Sequence, residues 1–165
     1  ITGLHHMFLS VYFQLMGSSL KGTYLWPIVA ISNICQGSAA FGAWLIYKRR
    51  KMAKEEGLAL TSGVSAFLGV TEPAMFGVNL PLKVPFFAAI CTSGVLGAVI
   101  GANRVLGNVG VGGVPAFISI QSKYWYIYIL VILLAMILPA VLTVIFSKFT
   151  KIKAKEMVEN PNDIK

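Results

Sequence analysis

Three stretches of this chain, residues 24–47, 84–106 and 124–147, are long and apolar enough to cross a bilayer, and Arg104 is the single charged side chain among them. A crossing takes about 20 predominantly apolar residues. Backbone in hydrocarbon has no water to bond its N–H and C=O groups, so such stretches close their hydrogen bonds internally as helices. Composition agrees: 56% of the 165 residues are hydrophobic and 12% are charged, against about 25% charged in a soluble domain. A disordered chain is ruled out, and an ordinary water-soluble domain is a poor fit. The fold class that follows is an all-α integral membrane protein, a bundle of about three transmembrane helices with the lipid bilayer as its surroundings.

The formal charge is +8, from 14 basic and 6 acidic side chains, a balance that in a soluble protein points to nucleic acid. Position overturns that reading. Lys48, Arg49, Arg50, Lys51 and Lys54 form one cluster, and Lys148, Lys151, Lys153 and Lys155 another, each following an apolar run. This is the positive-inside pattern of cytoplasmic membrane flanks. Residues 148–165 therefore read as a basic cytoplasmic tail, and no nucleic-acid partner is expected. Tyr24, Trp26, Trp44 and Tyr47 bracket the first span as interfacial anchors, and Tyr124, Trp125, Tyr126 and Tyr128 lead the third. Pro27 and Pro85 fall in first turns, where a missing N–H is tolerated, and Pro139 is expected to kink the third span. Gly94, Gly97 and Gly101 put small residues on one helical face for close approach of another backbone. Cys35 and Cys91, 56 residues apart, have no metal-ligand spacing and read as packing thiols. The chain opens on Ile1 without the charged and apolar regions of a signal peptide, and reads as a C-terminal piece of a longer polypeptide.

Two further stretches are apolar without being plain spans. Residues 57–82 hold Gly63, Gly69, Gly77, Pro73 and Pro81, so a helix there is expected to break at Thr71-Glu72-Pro73. Residues 107–122 are too rich in glycine for regular structure, and irregular backbone at membrane depth needs protein or a wet cavity around it. Parity then decides the course of the chain. If both basic clusters are cytoplasmic, an even number of crossings separates them, and the second and third spans already supply two. Residues 57–82 are thus expected to enter and leave by one face as a re-entrant hairpin, with Lys83 at the cytoplasmic surface. Residues 1–147 form one membrane unit in this reading.

Glu72 is the only acidic residue between Gly57 and Lys155. An ionisable side chain within a membrane is costly and marks a substrate or ion path more often than not. The alternative is a protonated plug bonded to backbone freed by Pro73. Broken backbone beside the carboxylate offers N–H and C=O groups that suit a polyhydroxylated ligand or an ion. His5 and His6 are the other titratable pair, and adjacent residues point to different faces, so at most one shares a cavity with Glu72. Either is equally well a packing histidine. Ser32, Asn33, Gln36 and Ser38 form a polar cluster in the first span. They fit a cavity lining or hydrogen bonding between helices, and spacing admits both. No metal site is expected, because no third ligand accompanies the histidines and Glu72. Phosphate-cradling and nucleophile motifs are absent, and Gly110-Val111-Gly112-Gly113 lacks the flanking strand and helix of a dinucleotide site. No cofactor is expected.

The run Gly69-Val70-Thr71-Glu72-Pro73 resembles the Gly-Ile-Thr-Glu-Pro signature of the bacterial phosphotransferase-system sugar permeases of the glucose superfamily. The blocks Ile1 to Leu9, Ser32 to Ala40 and Gly112 to Ile120 resemble the trehalose-specific members most closely, and the sucrose and beta-glucoside members share much of the pattern. The resemblance covers nearly the whole chain as the C-terminal half of the membrane unit. It implies multi-pass residence in a bacterial cell membrane and group translocation, in which a disaccharide such as trehalose is carried inward and phosphorylated on arrival. Glu72 takes the role of the family's glutamate, bonding sugar hydroxyls near the phosphorylated position and assisting proton removal, with Thr71 and Asn79 of the same motif as further contacts. The family's sugar-binding histidine falls on the His5-His6 pair. With Asn33 and Gln36, these make the candidate substrate site.

The resemblance also implies partners: a phosphorylated B domain whose phosphocysteine is the donor, the N-terminal half of the membrane domain, and a second copy in a homodimer. This chain contains neither the B domain nor that first half, and Cys35 and Cys91 lie in membrane segments, unsuited to receive phosphate. Alone it is not expected to transport or phosphorylate. Val70 replaces the signature's isoleucine, Ser10 stands where proline is expected, and Arg104 has no family role and reads as a snorkelling cation. Two other functions fit the residues: an ion-coupled secondary transporter in which Glu72 carries a proton or cation, and an inactive fragment of a split permease.

Overall fold

A computed structural model describes residue 14, residues 23–108 and residues 112–149. Among the described residues there are four long helices: α1 (Leu25–Arg49), α2 (Ala53–Phe67), α5 (Val84–Ala102) and α6 (Trp125–Phe149). Between α2 and α5 lies a broken helix made of α3 (Glu72–Ala74), a π turn (Met75–Asn79) and α4 (Leu80–Leu82). Two short 3-10 turns, Val114–Ser119 and Ser122–Tyr124, lead into α6. Extended pairing among the described residues is limited to isolated bridges of Gly107 with Thr23 and with Ile120. Among the described residues three segments, Leu25–Arg49, Val84–Ala102 and Ser122–Lys148, are long and apolar enough to cross a membrane. The protein is an all-α multi-pass membrane protein.

Helix α1 sits at the centre because its sequence is rich in small residues. Ala30, Ala39, Ala40 and Ala43 are fully buried, and they let α2, α5 and α6 come close on different sides. Against α2 the fit is reciprocal. A Cβ on Gly37 would stand 2.8 Å from the Phe67 ring, and one on Gly63 would stand 2.8 Å from the Phe41 ring. Against α6, a Cβ on Gly42 would meet Thr143 at 2.8 Å and the Ala140 carbonyl oxygen at 2.9 Å. Ser38 Oγ donates to the Met136 carbonyl at 2.6 Å and accepts from the Ala140 N–H at 3.1 Å. Those two groups are the helical partners that straddle Pro139, so the hydroxyl is inserted where proline disturbs the ladder.

These contacts fix directions. Tyr128 meets Pro27, Ala140 meets Ser38 and Thr143 meets Gly42, so α6 runs parallel to α1. The bridge from Thr23 to Gly107 and the contact of Gly97 with Ile28 put the end of α5 beside the start of α1. α2 runs back along α1, and the broken helix returns: Val78 joins Ala40, Ala43 and Ala59 in a buried cluster against which Trp44, Tyr47 and Leu82 pack. Residues 53–82 thus make a helical hairpin, with Arg49, Lys51, Lys83 and Lys148 at one end of the bundle.

Several boundaries differ from the sequence expectation. The second span stops at Ala102 rather than near residue 106: Arg104 adopts φ 50° and the Asn103 side chain turns back to donate to the Val99 carbonyl at 2.8 Å. The hairpin starts at Ala53 rather than 57, and its break occupies residues 68–71, so Pro73 falls in the first turn of the returning helix. Of the three glycines expected to form one packing face on α5, only Gly97 is against a neighbour, Ile28 Cγ2 at 3.2 Å; Gly94 and Gly101 face open space. Cys35 is a buried packing thiol, whereas Cys91 is exposed on the outside of α5.

Candidate functional site

The hairpin tip is built by a helix stop that the sequence specifies atom by atom. After Phe67 the Gly69 N–H bonds the Ala66 carbonyl at 3.0 Å and the Val70 N–H bonds the Ser65 carbonyl at 3.0 Å, the paired bonds of a Schellman motif. Gly69 takes φ +105°, which a residue with a Cβ adopts only under strain. Ser65 Oγ donates to the Val70 carbonyl at 3.0 Å and ties the turn. Helix resumes at Glu72, in the first turn beside Pro73, where a carboxylate suits the positive end of the backbone dipoles.

The tip is backed by the glycine-rich segment. A Cβ on Gly69 would lie 3.0 Å from Gly112 backbone, and one on Gly113 would run into the Phe67 carbonyl oxygen. Asn33 on α1 closes the third side, its Nδ2 donating to the Gly69 carbonyl over a long 3.5 Å and standing 2.8 Å from where a Gly112 side chain would begin. Glu72, Pro73, Phe76 and Gly77 face outward on the open side of the returning helix, and Thr71 is half-buried beside them. Leu68, Val70 and Phe76, which are 61%, 54% and 46% exposed, add apolar surface to the same stretch of chain.

The expected site residues are thus divided. Asn33, Thr71 and Glu72 gather at the tip. Gln36 and Asn79 are bonded to each other instead: Asn79 Nδ2 donates to the Gln36 carbonyl at 2.9 Å and to Gln36 Oε1 at 2.7 Å. His5 and His6 lie outside the described residues. Among the described residues no group of three His, Cys, Asp or Glu side chains is arranged to hold a metal ion. The polar cluster of α1 bonds neighbouring elements through Asn33, Gln36 and Ser38. Sequence reasoning took Gly112-Gly113 as irregular backbone and as the start of a family-like block, and missed it as the wall of the tip. The signal was the pairing of two adjacent glycines with Gly69, because two backbones in contact both need to lack side chains.

The tip carries the Thr-Glu-Pro run within residues 1–94, and residues 1–94 match the family described as "Phosphotransferase system, EIIC". The chain belongs to this family. It is 49% identical over 150 residues to the PTS system trehalose-specific EIIBC component of Bacillus subtilis (strain 168), covering 90% of this chain and 31% of that protein. The trehalose-specific EIIBC component of Escherichia coli (strain K12) is 44% identical over 144 residues, 87% of this chain and 30% of that one. The sucrose-specific EIIBC component of Staphylococcus xylosus is 47% identical over 133 residues, 78% of this chain and 27% of that one. The chain spans about a third of the length of the curated relatives it matches. No solved structure matches it. As an EIIC-family chain it carries every candidate site residue inside the matched region, from His5 to Asn79.

Proposed function

We propose that this chain is the C-terminal part of the membrane component of a phosphotransferase-system permease, and that its parent protein takes up trehalose or a related disaccharide and phosphorylates it. The observation that carries the reading is Glu72: an exposed carboxylate at a broken, glycine-backed hairpin tip, in a chain similar to trehalose-specific components. A neutral disaccharide leaving water needs a partner for each hydroxyl, since an unpaired buried hydroxyl costs binding energy. Glu72 accepts hydrogen bonds from sugar hydroxyls, Thr71 and the opened backbone of residues 68–71 add donors and acceptors, and one histidine of the His5-His6 pair is a further sugar ligand. During phosphoryl transfer the attacking hydroxyl loses its proton, and the Glu72 carboxylate is the base within reach. The phosphoryl group comes from the phosphocysteine of a B domain, a partner consistent with the EIIBC architecture named for the relatives. The N-terminal half of the membrane domain closes the open side of the tip, and the complete protein is a homodimer.

Orientation follows from charge. The basic end of the bundle, with Arg49, Lys51, Lys83 and Lys148, faces the cytoplasm together with the 148–165 tail, so residues 53–82 form a re-entrant hairpin whose tip reaches into the membrane from that side.

The test is phosphoenolpyruvate-dependent phosphorylation of trehalose, sucrose and glucose by the full-length parent in membrane vesicles, with and without Glu72→Gln. Donor-dependent sugar phosphate that disappears in the variant is expected. Uptake driven by a proton gradient without any sugar phosphate overturns the reading in favour of ion-coupled transport, and inactivity with every sugar and ion assigns the chain to a split, silent permease.

A further inference from the structure

Asn79 is fully buried and Gln36 is 5% exposed, so neither side chain reaches the open face that Glu72 occupies. An asparagine amide nitrogen has two hydrogens to donate, and Asn79 directs its Nδ2 at two acceptors of one residue, the backbone carbonyl and Oε1 of Gln36. Its donor capacity is spent inside the protein. Asn79 is also the last residue of the π turn that separates Glu72 from Leu82. Pro81 offers no N–H to the Gly77 carbonyl, so the helix lacks a ladder bond of its own here and does not fix the register of the turn by itself. A π turn adds one residue to a helical circuit, and one residue is about 100° of helical phase. Relaxation of the π turn to regular α-helix would therefore rotate Glu72 about the helix axis relative to the anchored Leu82 end.

We propose that Gln36 and Asn79 are a positioning pair that locks the π turn and so aims Glu72, rather than sugar ligands. Asn33 and Gln36 are three residues apart on α1, neighbours on one helical face, and they grip the Glu72 segment before and after: Asn33 at Gly69, Gln36 at Asn79. The central helix holds the chain on either side of the carboxylate, in the break and in the π turn, and leaves the carboxylate itself free for a ligand. The part of the proposal that concerns sugar rests on the function proposed above; the lock itself does not.

Two measurements on the purified full-length parent test it. The first is hydrogen exchange. Asn79→Ala is expected to speed amide exchange across residues 72–82 while leaving α5 as in the wild type; unchanged exchange in 72–82 overturns the lock. The second is trehalose phosphorylation per folded protein. Asn79→Ala is expected to lower kcat/KM by about 10²-fold, the scale of loss when a catalytic group is misplaced by about 1 Å. Gln36→Met removes the side-chain acceptor but leaves the backbone carbonyl that Asn79 also bonds, and is expected to lose less than Asn79→Ala, whereas Asn79→Asp, which sets acceptor against acceptor, falls with the alanine variant. Sugar affinity separates positioning from contact: Asn79→Ala added to Glu72→Gln is expected to weaken trehalose binding no further, because both act through one carboxylate. Full additivity of the two losses overturns the proposal by making Asn79 an independent ligand. Wild-type kcat/KM in Asn79→Ala, with only the yield of folded protein reduced, overturns it by making the pair a packing element. A wild-type parent that phosphorylates no sugar removes the functional reading, and hydrogen exchange then decides the lock alone.

Discussion

The rings of Phe41 and Phe67 stack at 5.2 Å between centroids with 18° between their planes, and each lies over a glycine of the other's helix, Gly63 and Gly37. Exchange of ring for glycine lets α1 and α2 approach closely, and this contact brings the hairpin tip up to the level of Asn33. Gly63→Ala puts a Cβ 2.8 Å from the Phe41 ring, an overlap relieved only by moving the ring or the helix. Overpacking of this kind costs about 1–3 kcal/mol. Thermal unfolding of the detergent-solubilised parent is expected to show that loss, and Phe41→Leu combined with Gly63→Ala is expected to recover part of it through pairwise coupling. Equal stability of Gly63→Ala and wild type would show that the helices do not meet here.

Gly113 carries a stricter demand, because conformation and space both exclude a side chain. It has φ 68° and ψ −149°, a region close to one that only glycine populates, with a cost of about 1–3 kcal/mol for other residues. Its Cβ would also run into the Phe67 carbonyl that begins the hairpin turn. Gly113→Ala is expected to displace the tip and abolish sugar phosphorylation by the parent. Gly94→Ala on the outer face of α5, where nothing lies within 4 Å, is the control and is expected to retain activity. Loss in both or in neither would detach the glycine-rich wall from the site.

What the sequence made legible and what it hid divide along physical lines. Burial in lipid is a one-dimensional property of a run of residues, so all three spans were readable, with ends displaced wherever a local event stops the helix, as the Asn103 side chain and Arg104 do for α5. A break near Glu72 was readable from Pro73, but not its place: it lies at residues 68–71, where Gly69 ends α2 and Pro73 already belongs to the returning helix. Partners were not readable. Helical spacing puts Gln36 on a face but does not say that Asn79, 43 residues later, meets it there. Gly94, Gly97 and Gly101 share a spacing, yet only Gly97 meets a neighbour. Spacing fixes direction, and only the tertiary arrangement supplies what lies in that direction.

The Ser38 hydroxyl between the Met136 carbonyl and the Ala140 N–H predicts a coupling between two helices. Ser38→Ala removes one hydrogen bond from each group, and a hydrogen bond of this kind is worth about 0.5–1.5 kcal/mol. In a Pro139→Ala background α6 regains a regular ladder and closes that bond itself. A double-mutant cycle on thermal stability is therefore expected to give a cost for Ser38→Ala that shrinks when Pro139 is absent. Additive costs would mean that the hydroxyl and the proline act separately.

The direction of the hairpin makes the sharpest prediction about membrane topology. Because residues 53–67 and 72–82 run in opposite senses along α1, Lys51 before the hairpin and Lys83 after it end up together, although 31 residues, most of them apolar, lie between them. A transmembrane crossing in that interval would put them on opposite sides. Single cysteines at position 51, 83 or 121 of the parent, in a background with Cys35, Cys91 and every cysteine outside this chain replaced by serine, separate the two topologies when probed with a membrane-impermeant thiol reagent. Positions 51 and 83 are expected to label only from the cytoplasmic side, and position 121, just before α6, only from the outside. Labelling of 51 and 83 from opposite sides would turn the hairpin into a span, invert α5 and α6, and separate the basic end of α6 from that of α1. That outcome contradicts the parallel contacts of Tyr128 with Pro27 and of Ala140 with Ser38, so topology and side-chain packing stand or fall together.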